Sequence, residues 1–201
     1  VRKSKVAKSR GRQGARAARA SAQSSQGKLW WFGGAAVLAL GVGLVAISSG
    51  SPEPAVEPAG VETIEVTSAS HVDTAVAYER IPPVGGDHNP AWQNCGFYSE
   101  PISTEFGVHS LEHGAVWITH RADLAEDQIG ALRDRTARSY VLVSPWEGEL
   151  PAPVVASAWG KQLQFDSATD PALAQFVDFF AQGPQTPEPG AACSGGVGNP
   201  A

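Results

Sequence analysis

The longest unbroken apolar stretch, residues 29–48 (LWWFGGAAVLALGVGLVAIS), carries no charge. About twenty such residues let a helix cross a ~30 Å hydrocarbon layer, so one transmembrane helix is predicted there. Trp30 and Trp31 open it, where indole rings favour the headgroup zone. Residues 49–60 (SGSPEPAVEPAG) change to Pro, Glu, Ser and Gly, a semi-extended linker. Residues 80–105 are crowded with Pro, Gly and Asn, which punctuate structure, and are expected to be a long loop. Beyond them the pattern becomes regular. Residues 115–119 (AVWIT) and 140–144 (YVLVS) read as short apolar strands. Between them, residues 123–137 place Leu124, Ile129 and Leu132 at helical spacing. Residues 154–165 hold one or two further strands, interrupted near Gly160. Asp170 can cap a helix with Pro171 at its first position, running to about Gln182, with Ala174, Phe176, Val177 and Phe180 as its apolar face. Gly183 and Pro184 stop it. The order strand–helix–strand–strand–helix predicts an α+β domain over residues 61–197. It would be a small mixed sheet with two packed helices and a long N-terminal loop region, preceded by the transmembrane helix.

Charge sharpens this division. The 201 residues carry a formal net charge of −5, but the signs are segregated. Residues 1–28 hold Arg2, Lys3, Lys5, Lys8, Arg10, Arg12, Arg16, Arg19 and Lys28 and no acid; the chain beyond the apolar run holds all 20 acids. Basic residues are retained on the cytoplasmic side, so the arm 1–28 is expected in the cytoplasm, disordered, and the domain outside the plasma membrane. The arm can touch anionic lipid heads, which makes the bilayer a partner. A cleaved signal peptide is the alternative, with Ala46 and Ser48 as its small residues. Both readings export the domain. Its acidic surface repels phosphate, so nucleic acid is not an expected partner.

Cys95 and Cys193 are the only cysteines, and there is no methionine. This composition excludes an iron–sulfur protein, a Cys-rich zinc module and a Met-rich copper carrier. An oxidising compartment favours a disulfide between them, which would tie the C-terminal tail to the long loop. The alternative is a thiolate metal ligand at Cys95, near His88. Without a CxxC pair, a thiol–disulfide oxidoreductase is not supported.

Five histidines occur: His71, His88, His109, His113 and His120. In a helical turn His109 and His113 share one face, four residues apart. That spacing suits zinc or copper bound through imidazole nitrogen. His88, in the Pro-Gly loop, can supply a third ligand. Glu112 can be a ligand, a partner that fixes a histidine tautomer, or a general base. The candidate metal set is therefore His88, His109, His113 and Glu112. The opposing reading is structural, with loop histidines hydrogen-bonded to carbonyls. The string HSLEH also matches the pattern of inverted zinc peptidases. Those enzymes need a long helix, whereas Gly114 ends any helix here and a strand follows.

The strings PPVGGDHNPAWQNCGFY, VHSLEHGAVWITH, YVLVSPW, PAPVVASAWGKQL and PEPGAACSGG together resemble a family of unknown function. That family occurs mainly in membrane-anchored proteins of high-GC Gram-positive bacteria. The likeness covers about residues 61–197. Its hallmark positions correspond to His88, Cys95, His109 and His113. The resemblance implies single-span topology with a short basic arm and implies no activity. Two functions compete on the residues alone. One is a membrane-anchored module binding zinc or copper. The other is a scaffold or interaction module for an envelope protein partner. A hydrolase using Ser110 or Glu112 lacks any nucleophile signature.

Overall fold

The computed structural model describes residues 55–201. The predicted transmembrane helix and basic arm lie outside them. Among the described residues no helix is long and apolar enough to cross a membrane. Chain order is β1 (Glu62–Thr63), β2 (Gly96–Phe97), α1 (Thr104–Glu112), β3 (Val116–His120), α2 (Glu126–Arg135), β4 (Val141–Pro145), β5 (Val154–Ala158), β6 (Lys161–Phe165) and α3 (Pro171–Phe180). The α+β class is as expected, but among the described residues there are three helices rather than two. The region expected to be one long loop contains β2 and the first two residues of α1, Thr104 and Glu105.

The strands form one mixed sheet in the order β1-β6-β5-β3-β4-β2. β3 and β4 are parallel, joined through α2, and β2 adds parallel to β4. β5 and β6 are antiparallel, turning at Gly160, whose φ of +68° suits glycine. The two edge strands are only two residues long. Short edges offer little template for pairing with another chain.

Side chains alternate across a strand, so a central strand covered on both faces is apolar throughout. Val116 and Ile118 of β3 face a core built with Leu132 of α2 and Leu173, Phe176, Val177 and Phe180 of α3. Leu173 takes the place expected for Ala174 in the buried stripe of α3. The stripe then follows an i, i+3, i+4, i+7 spacing. The Asp170 carboxylate caps this helix, accepting from the Ala172 amide at 2.8 Å. On the opposite face, Trp117 and Leu142 pack with Leu111 of α1 and Tyr98. Helix α1 can lie this close because it has glycine at 107. A Cβ there would meet the Trp117 ring at 2.7 Å. The sheet is thus sandwiched, with α2 and α3 on one face and α1 on the other. α1 carries the histidines of HSLEH.

Candidate functional site

Helix α1 presents His109 and Glu112 from its last turns, and His113 is its C-cap residue. Gly114, at φ +90°, ends the helix as expected and returns its amide to the Leu111 carbonyl. The C-terminal tail closes over this end. Glu188 donates its amide to the Glu112 carbonyl at 3.1 Å. The other two rings come from the irregular N-terminal region. His71 and His88 lie side by side in an isolated parallel bridge, with amide–carbonyl contacts of 2.8 Å (Val72 to His88) and 3.0 Å (His88 to Ser70). The Asp87 carboxylate clamps the bridge, accepting from the Ser68 hydroxyl and from the Ser70 amide at 2.9 Å. These bonds, the hydroxyl first, hold Asp87 below its ordinary range.

His71, His88, His109 and Glu112 converge, each offering a ligand atom within 4.8 Å of the others. They form a His3Glu cluster that could hold a metal ion. His88, His109 and Glu112 are buried, and His71 is half exposed. His113 is buried beside them, its Nε2 2.9 Å from that of His109. His88 Nε2 lies 3.0 Å from Glu112 Oε2, and His71 Nε2 lies 3.6 Å from the same oxygen. Of the four residues picked out in the sequence, the structure brings His88, His109 and Glu112 into one cluster and sets His113 against it. His71 was not singled out by sequence reasoning. It lies 17 positions before His88 in a stretch without periodicity, and only backbone pairing brings the two together. His120 stands outside this cluster, at the end of β3.

The tautomers follow from the outer hydrogen bonds. His88 Nδ1 faces the Gly86 carbonyl at 2.7 Å, His109 Nδ1 the Asn89 carbonyl at 2.7 Å, and His113 Nδ1 the Ala192 carbonyl at 2.6 Å. A carbonyl only accepts, so each Nδ1 carries the proton and, in a neutral ring, each Nε2 keeps its lone pair. With neutral rings the close pairs His109–His113 and His88–Glu112 set acceptor against acceptor, a contact that either a proton or a cation relieves; His113 Nε2 also lies 3.5 Å from Glu188 Oε2. The His88–Glu112 separation of 3.0 Å is a few tenths of an ångström shorter than the roughly 3.3 Å between two donors at about 2.0–2.1 Å on one tetrahedral ion. Burial holds the His109 imidazole below its ordinary value, opposed by the Asn89 carbonyl and reinforced by His113, His88 and His71. That keeps its nitrogen available as a ligand. The C-terminal end of α1 adds the negative pole of the helix dipole, which also favours a cation. Trp92 walls the cluster, its ring centroid 4.9 Å from that of His113, and Trp159 stands 6.0 Å from His88.

Cys95 and Cys193 form a disulfide with Cα atoms 5.4 Å apart, so Cys95 is not a thiolate ligand. The bridge anchors the tail that carries Ala192, the acceptor for His113.

Burial also lowers the His120 imidazole, opposed by its bond to the Arg121 carbonyl. Its folded value lies below the unfolded one of about 6.5. Between the two, the unfolded chain binds more protons, so stability rises with pH. The contribution is complete above about pH 6.5 and is lost as pH falls through the depressed folded value. The metal-free domain is therefore expected to melt at progressively lower temperature below that point. The His120→Gln variant should show a shallower slope; equal slopes would remove His120 from the account.

A family model described as "Protein of unknown function (DUF3105)" matches residues 71–195. No curated protein and no solved structure matches the chain.

Proposed function

The chain belongs to DUF3105, a family of unknown function, and we propose that its domain is a module for one zinc or copper(II) ion. His71, His88, His109 and Glu112 hold the ion, with His113 beside them. The observation that carries this reading is the convergence of His71, His88, His109 and Glu112, with the Nδ1 protons of His88 and His109 committed outward to carbonyls so that their Nε2 atoms face the cluster. Metal-binding histidines commonly use their second nitrogen this way, which fixes ring orientation and raises ligand basicity. Imidazole and carboxylate donors, without thiolate or thioether, suit zinc and copper(II) better than copper(I). Four protein donors satisfy a tetrahedral ion and favour holding over hydrolysis, which needs an open position. Half-exposed His71 is the side from which an ion enters. With residues 29–48 as anchor in the bilayer, the module stands outside the plasma membrane, leashed by the linker 49–60.

A second reading has its own support. The same Nδ1 bonds brace the loop 86–89 and tie it and the C-terminal tail at Ala192 to α1, as structural histidines do in a scaffold for an envelope protein partner. The two readings part on one experiment. Zinc and copper(II) are titrated into residues 49–201, followed by calorimetry and thermal unfolding. One ion per chain is expected, with a stabilisation of about 2.7 kcal/mol at free metal 100-fold above the dissociation constant. The His109→Ala/Glu112→Gln variant should lose both. A wild-type domain that takes up no ion and keeps its melting temperature overturns the metal reading and leaves the scaffold.

A further inference from the structure

A concavity lies at the carboxyl ends of the three parallel strands. Phe97, His120 and Pro145, the last residues of β2, β3 and β4, all line it. In open α/β sheets, the crevice outside the carboxyl ends of the parallel strands is the usual place for a ligand. The cavity measures about 610 Å³, within the usual range of about 300–1,000 Å³ for small-molecule sites.

Its walls combine two chemistries. Phe97, Ile129 and Trp146 make an apolar surface, with Trp146 backed by Trp117 at 5.7 Å between ring centroids. Glu100, Glu126 and Glu147 stand at the exposed rim, against a single cation, Arg133. That guanidinium already lies 4.3 Å over the Phe97 ring, so the aromatic wall is a surface that takes a positive charge.

The third feature is His120. It is buried, only 3% exposed, and its Nδ1 donates to the Arg121 carbonyl at 2.8 Å. Its Nε2 is therefore an acceptor, and it has no hydrogen-bond partner among the described residues. Buried acceptors are nearly always satisfied, so one left unpaired on a cavity wall marks the place of a donor.

We propose that this cavity binds a small organic ammonium compound with an apolar body, at a site separate from the histidine cluster. The apolar body rests on Phe97 and Trp146. The ammonium group is attracted by the rim carboxylates and donates to His120 Nε2 after a side-chain adjustment that uncovers this buried atom. An anion is repelled by the same rim, and a neutral alcohol offers a donor without the charge.

The test uses the full chain in detergent, with 2-phenylethylammonium as probe and 2-phenylethanol and 3-phenylpropionate as controls. Binding is followed by nuclear magnetic resonance at the Trp146 indole. The ammonium should bind tighter than about 10 mM, and the alcohol roughly 10-fold more weakly. The carboxylate should not bind. The exposed double variant Glu126→Gln/Glu147→Gln should weaken the ammonium roughly 10-fold and leave the alcohol unchanged. It should also leave metal uptake by the histidine cluster unchanged, which separates this site from that one. The His120→Gln variant, which keeps an acceptor, should bind better than His120→Phe. Absence of ammonium binding, equal binding of ammonium and alcohol, or an unaltered double variant would each overturn the proposal.

Discussion

Replacing Cys95 and Cys193 by serine is expected to destabilise the domain by about 4.7 kcal/mol, the chain-entropy value for a bridge closing a loop of roughly this length. The two residues are 98 positions apart and enclose the whole of the sheet except β1. Freeing them returns that loop's conformational freedom to the unfolded chain. The tail also has local ties that the bridge helps to hold. Val197 pairs with Gln93, the Cys95 amide meets the Cys193 carbonyl at 2.8 Å, and Tyr140 donates its hydroxyl to the Ala191 carbonyl at 2.8 Å. The midpoint of thermal unfolding should fall by roughly 10–15 °C. Metal affinity should fall with it, because the tail closes over the end of α1 that carries Glu112, through the Glu188 amide and the Ala192 carbonyl. A serine variant that melts within about 2 °C of the parent would mean that the tail's hydrogen bonds alone hold it.

Trp117→Ala is expected to cost about 3–5 kcal/mol. The ring is among the largest fully buried side chains and is the platform on which α1 rests at Gly107. Its Nε1 donates to the Ser144 hydroxyl at 3.0 Å, so the truncation leaves a large void and an unpaired buried hydroxyl. The Trp117→Phe variant keeps most of the packing and should lose about 1–3 kcal/mol, the hydroxyl's cost included. Urea unfolding separates the two. Because α1 carries His109 and Glu112, the alanine variant should also bind metal more weakly than the phenylalanine variant. A loss below about 1.5 kcal/mol for alanine would show that α1 is held mainly by its loops.

The regular half of the domain was legible because its signals are local. Strands β3 and β4 are continuous apolar runs, which follows from helices covering both faces of the sheet. Helix α3 announces itself through Asp170, Pro171 and a clean apolar stripe. Helix α1 hid because its buried residues include Gly107, His109, Ser110 and Glu112, so burial there does not track hydrophobicity. Strands β1 and β2, two residues each, are too short to show alternation, and their partner strands define them.

From local pattern alone came the strand–helix order, the stop at Gly114, the cap of α3 and the imidazole spacing of His109 and His113. Caps, stops and periodicities act over one or two turns, so a short window of residues contains them whole. The placement of His71, the direction of each Nε2 and the meeting of three strand ends at the His120 cavity came only with the tertiary structure. Each depends on backbone pairing and chain closure between segments far apart in the chain, and the free energy that orders them resides in contacts that no single stretch possesses.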